Sequence, residues 1–521
     1  MTKGMSIMEK PLSNNRRHFL PRKLVVASVL GMTFSSLVLF VIFWCTNIFQ
    51  NTILSTLVVK NGTPMLEWFI RPPIRAVYKI KIFNYTNVDD FESGRTKKLK
   101  VEEVGPYIYR ETLTRINYVF HENGTISFQE KRSFQWEGGR PDDEIIIAPN
   151  VPLMAAMAFV KDMSFFAHLA LTGVLTTLQS KPFTSVTAGG LLWGYDDKIF
   201  ELGKPFISFQ EHISFEKFGL LAHKNGVSSD VITMNTGIHD LNQLSMIERV
   251  NGRSNQHVWH DAQCDRVYGS EGYMFPYNMI KDPDSTLSIY AVDMRRTLRF
   301  QRAGSDISFG VPTYTFKPPT DAFNYNNGEE RCFCPQTITG VSSSKTCPPN
   351  GIFNSSVCTF NMPIAVSLPH FLNGDESLKK NIDGLNPQQN LHETYVNVHP
   401  RLGIVMGGHS RVQLNVEARK VAGIPFLGNI EDGQILPLIW IDVGVDSIPD
   451  HLMNLLKHAF FTASTVEAGM KWGSIVGIIL SSGALMHVLR KQREAHRAAL
   501  KRKISGQAKL LEESELGTVQ C

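Results

Sequence analysis

The sequence predicts an α+β membrane protein, with one large exoplasmic domain built on a central antiparallel β core and a transmembrane helix at each end. A charge-free apolar run lies near each terminus, and stretches between them alternate apolar and polar residues as half-buried strands do. A cysteine cluster in loop-rich sequence sets the compartment. The 521 residues, 43% hydrophobic and 19% charged, suit a folded chain.

Arg22 and Lys23 precede the apolar segment Leu24–Ile48, and no charge recurs until Lys60. Its core, LVVASVLGMTFSSLVLFVIFW, is long enough to cross a hydrocarbon layer of about 30 Å. A cleaved signal peptide would show a shorter apolar region followed by a small-residue cleavage site, and neither is seen. Near the other end WGSIVGIILSSGALMHVL (Trp472–Leu489) is charge-free between Lys471 and Arg490, whose long side chains can reach the interface. Arg16, Arg17, Arg22 and Lys23 flank the first run, and Arg490, Lys491, Arg493 and Arg497 flank the second, so both termini are expected in the cytosol. The expected organisation is a tail 1–23, a span 24–48, an exoplasmic domain 49–468, a span 469–489 and a tail 490–521.

Charge follows this plan. The tails 1–23 and 472–521 hold 14 Lys and Arg against 5 Asp and Glu, and the remainder 39 against 43. The formal excess of +5 therefore arises beside the membrane. There it reads as an orientation signal and a contact with anionic lipid, not as nucleic-acid binding. The nearly apolar stretch Val151–Gln179 could suggest a third span. Lys161 and Asp162 at its middle would cost several kcal/mol in a bilayer. Two helices of the exoplasmic domain, broken near Lys161–Met163, are expected instead.

With that topology Cys264, Cys332, Cys334, Cys347 and Cys358 face an oxidising compartment, where disulfides are expected. No C-x2-C pair supports a zinc site. Five is odd, and spacing leaves the connectivity open. Short irregular loops such as Cys334–Cys347 are favoured, with closure stabilising by roughly 3 kcal/mol in the chain-entropy picture. Sequons at Asn61, Asn84, Asn123 and Asn354 all fall between the spans and predict N-glycosylation in the same compartment.

Within the domain, RINYVFHENGTISFQ predicts a β-hairpin turning at Asn123-Gly124. Further strands are expected at residues 107–112, 286–292, 411–419 and 435–444, and helices at Thr52–Val59, Val151–Gln179, Phe215–Leu221 and Ile448–Ala463. Residues 317–361, within a disulfide region 264–358, read as stapled loops. No G-x-S-x-G, H-E-x-x-H, G-x-G-x-x-G or P-loop is present, and HVWHD (His257–Asp261) reads as ordinary loop polar residues. No enzymatic activity, metal or cofactor is expected.

The segment 151–179 asks for a role, because two helices so apolar must bury their faces or bind something apolar. Met154, Met157 and Met163 adapt to irregular surfaces and Phe159, Phe165 and Phe166 are bulky. Lys161 is available there for an acyl carboxylate or a phosphate.

The chain resembles the class B scavenger receptor family from the first span to the second. The motifs are EVGPYIYRE (103–111), LLWGY (191–195), the C-x-C at Cys332 and Cys334, LPHF (368–371), DGLNP (383–387) and PLIWID (437–442). The resemblance implies an antiparallel barrel-like core topped by an apical helical bundle, with an internal lipid tunnel running towards the membrane. It places 151–179 in that bundle as the docking surface for lipids, lipoprotein particles or protein ligands. The ligand-contacting candidates there are Leu153, Met157, Phe159, Val160, Lys161, Phe165, Phe166 and Leu169, with Lys181 just beyond. It also implies the bridges Cys264–Cys332 and Cys334–Cys347. Cys358 is left without its counterpart, since Met294 stands at the sixth cysteine position. The expected function is a receptor that passes fatty acids, sterols, carotenoids or lipoprotein lipids to the membrane, at the plasma membrane. The alternatives are a recognition receptor that does not transport, or an endolysosomal trafficking receptor. Leu510-Leu511 lacks the acid of a dileucine signal, and the G-x-x-x-G at Gly473 and Gly477 could bring spans together, including by self-association.

Overall fold

The computed structural model describes residues 22–516 apart from 211–214, 260, 327, 329, 335, 340, 341 and 346. His260 of HVWHD and the side chains of Leu510 and Leu511 lie outside the described residues. The chain forms two units, one of the terminal segments and one of Thr52–Phe460.

In the terminal unit a helix Arg22–Phe40 runs on through a wider turn Val41–Cys45 and packs on a helix Ala463–Leu516. Both contain stretches long and apolar enough to cross a membrane. Their seam is made of small residues. Ser474 and Ser481 are buried on a mostly exposed helix, and a Cβ added to Gly477 would lie 2.5 Å from Ser36 Oγ and 3.2 Å from Ser36 Cβ. Gly477 of the G-x-x-x-G thus meets the other helix of the same chain, while a Cβ at Gly473 would meet nothing. Trp44 Nε1 donates to the Lys471 carbonyl at 3.2 Å, and Trp44 stands edge-on to Trp472. A Ser36→Cys/Gly477→Cys pair should therefore form an intrachain disulfide, its Cβ atoms being close to the usual separation of about 3.8 Å. Cross-linking that yields only covalent dimers would show that the seam pairs different chains. The second helix continues past Leu489, where the span was expected to end, because the Ala-, Glu-, Lys- and Arg-rich stretch that follows is a good helix former.

The larger unit is organised by a 15-stranded, almost wholly antiparallel sheet. The strand Ile435–Gly444 pairs with Val77–Tyr85 on one side and Val405–Glu417 on the other, which closes the sheet on itself. Closure removes the open edges a sheet of this size would otherwise expose. The expected hairpin is the longest in the fold: Leu99–Phe120 and Thr125–Gly139, with Gly124 at φ 78° in its turn. Strands also form at Thr286–Ala291, Val405–Glu417 and Ile435–Gly444.

Two helical expectations fail. Phe215–Leu221 is irregular, not helical: Leu220 and Leu221 donate backbone hydrogen bonds to Leu191 and Leu192, and Tyr195 to Phe218. A cluster of buried apolar residues rewarded pairing with LLWGY rather than a turn of helix, and Gly219 permits it, since a Cβ there would sit 2.7 Å from Gly194 N. The helix expected at Thr52–Val59 is shifted to Ile48–Ser55, and Leu57, Val58 and Val59 bury themselves outside it. Strands Gly226–Asn235, Arg296–Ser308 and Val311–Lys317 were not anticipated. In Arg296–Ser308 only three positions are buried, so the apolar alternation that marks a half-buried strand is missing.

Four of the motifs that carry the family resemblance converge on one polar knot. Glu103 Oε2 is 2.7 Å from His370 Nε2 and accepts from Trp440 Nε1 at 2.7 Å, while Lys81 Nζ donates to Oε1 at 2.7 Å. The Asn386 backbone N–H, from DGLNP, donates to His370 Nδ1 at 3.1 Å. Burial pushes the Glu103 carboxyl up, but the hydrogen bonds from His370, Lys81 and Trp440 outweigh it and hold it at about 2. LLWGY contributes Trp193, which packs edge-on against Tyr109 and face-on against Phe134.

Candidate functional site

Asn150 caps the first helix of the 151–179 segment by accepting the Leu153 N–H at 3.1 Å, with Pro152 in the first turn. The helices are Val151–Val160 and Phe165–Thr177, with the break where it was expected. His168 Nε2 lies 2.8 Å from the Val160 carbonyl and ties the second helix to the end of the first.

The candidate head residues divide by face. Leu153, Met157 and Val160 are buried in the main hydrophobic cluster together with Met154 and Leu175. They hold the pair down and do not face solvent, a correction to their expected place in a ligand surface: a helix docked on the sheet must spend one side on the core. Phe159, Phe165, Phe166 and Leu169 point outward, with Phe165 72% and Phe166 79% exposed. Exposed aromatics at this density on one helical pair form an apolar patch. Lys161 is not an open cation, because its Nζ lies 3.2 Å from Asp432 Oδ1. Lys181 is exposed, and its carbonyl accepts from Asn150 Nδ2.

Cys264 is bonded to Cys332 and Cys334 to Cys347. Cys358 takes no part in either bridge and packs, half-buried, against the aromatic cluster of Trp259, Phe333 and Phe353 that Met294 also touches. Asn61 and Asn123 are exposed, whereas Asn84 and Asn354 are half-buried and their side-chain oxygens accept hydrogen bonds from Ile147 N and Ser356 N.

The larger unit holds a cavity of about 1440 Å³, which the strand and helix patterns did not reveal and only the family resemblance led one to expect. This is well above the common range for small-molecule pockets, which is about 300–1,000 Å³. Its apolar lining includes Val59, Trp68, Phe69 and Leu452 from the lengths of chain that lead to the two spans, and Phe215, Phe218, Phe360 and Ile404. Charged residues share the wall: Glu111 and Arg115 from one strand of the long hairpin and Glu130 and Arg132 from the other. A signal for it existed. Glu111, Leu113 and Arg115 alternate on one face of a strand, and all three are buried. Charge at the inward register of a closed sheet implies an interior that is not solid packing.

A group of Glu103, His370 and His392 brings its ligand atoms within 4.8 Å of one another, which invites comparison with a metal centre. The hydrogen bonding argues otherwise. Nδ1 of His370 accepts from Asn386 N, and Nδ1 of His392 accepts from Gln388 N at 3.0 Å. Each neutral ring therefore keeps its proton on Nε2 and has no lone pair there for a cation. Burial, with His370 beside it, pushes His392 down to about 4.

Comparison with known proteins agrees with this architecture. The model of the CD36 family matches residues 27–488. The chain belongs to the CD36 family. Bos taurus scavenger receptor class B member 1 is 29% identical over 421 residues, 79% of this chain and 79% of its own length. The Cricetulus griseus protein of the same name is 30% identical over 74% of each chain. Mus musculus lysosome membrane protein 2 is 28% identical over 80% of this chain and 84% of its own. This member of the CD36 family joins disulfides, two helices able to span a membrane and a large β-rich unit, the features of a membrane receptor.

Proposed function

We propose that this chain is a receptor that captures lipid-bearing particles on the 151–177 helical pair and passes their lipid through the internal cavity to the membrane. The observation that carries it is the coexistence, in one unit, of a 1440 Å³ cavity and an exposed aromatic patch. In this proposal residues 1–23 and 490–521 are cytosolic, 49–468 is exoplasmic, and 24–48 and 469–489 cross the bilayer. Sterols, carotenoids, fatty acids or lipoprotein particles are the ligands, without a cofactor or any enzymatic step. N-glycans are assigned to Asn61, Asn84, Asn123 and Asn354, the exposed Asn61 and Asn123 being the more accessible. The plasma membrane is the assigned site, and the lysosomal alternative is supported by the name of one group of relatives.

The docking surface is tested by particle binding to cells that express the full chain. Phe166→Asp and Leu169→Asp place a carboxylate in the apolar contact and should reduce capture by more than about tenfold, with surface expression unchanged. Capture unaffected by both would remove the helical pair from the mechanism.

A further inference from the structure

One β-hairpin carries two exposed apolar side chains at its tip. Its strands are Arg296–Ser308 and Val311–Lys317, paired from Gln301 with Lys317 to Ser308 with Val311, so that only Phe309 and Gly310 form the turn. Ile307 is 70% exposed and Phe309 40%. Both turn residues have positive φ, 51° at Phe309 and 79° at Gly310. A two-residue turn of that kind favours Asn or Asp before Gly, and a bulky side chain there is strained. An exposed aromatic at a strained position, where a small polar residue would fit better, calls for a use outside the fold. The hairpin holds the pair stiffly. Asn397 Nδ2 donates to Asp306 Oδ2 and to Ser308 Oγ, each at 3.0 Å, and Thr313 Oγ1 donates to the Asp306 carbonyl at 3.2 Å.

The position of the tip names the partner. Val311, next to the turn, is buried in one cluster with Leu54, Leu57, Leu452 and Leu456. Leu54 belongs to the helix Ile48–Ser55, nine residues after the first membrane-length apolar stretch ends at Cys45. Leu456 belongs to the helix Asp450–Lys457, which runs through a wider turn into Ala463–Leu516. His399, in the turn that ends the neighbouring strand Tyr395–Val398, lies with Nε2 3.1 Å from the Leu456 carbonyl. The tip is therefore on the face from which the chain leaves for both apolar helices, and nine residues reach at most about 30 Å. An apolar pair on that face meets lipid before it meets a soluble partner. Phe and Ile are side chains that settle at the boundary of headgroups and acyl chains.

We infer that the Ile307–Phe309 hairpin tip is a membrane-contact site, inserted in the exoplasmic leaflet of the bilayer that this chain's own helices cross. So placed, it holds against the leaflet the face on which Trp68, Met274, Ile404 and Leu452 join that apolar cluster to the cavity wall. The inference rests on the two-span placement proposed above and adds a third point of attachment to it.

The test uses the full chain in phosphatidylcholine nanodiscs, with a benzophenone amino acid placed at one position at a time and lipid adducts read by mass spectrometry. Positions 307 and 309 should give at least about tenfold more adduct than Ile145, which is 61% exposed on the strand leading into the helical pair. Phe34, 73% exposed on the first apolar helix, is the reference for full lipid contact. A second variant separates contact from folding. Phe309→Asn suits the turn, so its melting temperature should equal or exceed that of the wild type. Lipid adduct at position 307 should fall in that variant by about threefold or more, since the larger apolar anchor is gone. Adduct at 307 and 309 no higher than at Ile145, with Phe34 labelled, overturns the inference, as does adduct at 307 that Phe309→Asn does not lower. A markedly lower melting temperature in Phe309→Asn overturns it too, since Phe309 would then serve the fold. Cross-links from the tip to a second copy of the chain in place of lipid overturn it in favour of self-association. A Phe34 position that labels no lipid overturns the two-span placement itself.

Discussion

Ser288→Trp is expected to reduce lipid transfer into cells by at least about tenfold while particle capture stays within about twofold, because it narrows the cavity and leaves the helical pair untouched. Ser288 is half-buried on the strand Thr286–Ala291 and lines the cavity. The added indole enters the cavity from its wall, so the cost falls on passage. The measurement compares uptake of a labelled lipid with binding of the labelled particle that carries it, in cells with matched surface expression. Transfer that survives together with capture would separate the cavity from transport and favour a recognition receptor. Loss of capture alone would mean that the substitution had disturbed the fold.

Glu103→Gln should lower the stability of the folded chain by about 3 kcal/mol, since one carboxylate receives three hydrogen bonds at 2.7 Å and an amide replaces the charge that each donor meets. Trp440 Nε1–H and Lys81 Nζ are left facing a weaker acceptor, and His370 loses the partner that fixes its ring. The pH dependence identifies the cause. The folded Glu103 is held at about 2, below its ordinary value of 4.5, so its stabilisation is fully present above about 4.5 and is lost as pH falls through 2. The gap in melting temperature between wild type and variant should be constant at neutral pH and close progressively below about 4.5. A gap that stays constant to the lowest accessible pH would assign the effect to packing instead of charge.

These results would bear unequally on what could be read in advance. The hairpin around Asn123-Gly124, the break between the two apolar helices and the two long apolar segments were legible because each is set by local chemistry: a turn dipeptide, a charged interruption, an uninterrupted hydrophobic run. The helix expected over 215–221 failed because its apolar spacing fits either geometry and the partner, LLWGY, lies far away in sequence. Among the head candidates the outward Phe165 and Phe166 were distinguishable from the buried Met157 only after the helices had a sheet to lie on. Lys161 looked available for an anion until Asp432, from a distant loop, was placed beside it.

The sequence by itself determined the two apolar helices, the cysteine-rich loops and a minority of the strands, the long hairpin among them, since these depend on side chains within a few residues of one another. It also contained the four motifs of the knot, but not their meeting, which joins Glu103 to His370, Trp440 and Asn386 across the whole domain. Only the tertiary structure decided that the sheet closes, that it encloses a cavity, and that charges on inward strand faces find one another there. The physical reason is that closure and charge pairing are long-range: each residue's own preference is compatible with many arrangements, and the choice among them is made by burial of the whole sheet and by the need of each buried charge for an opposite one.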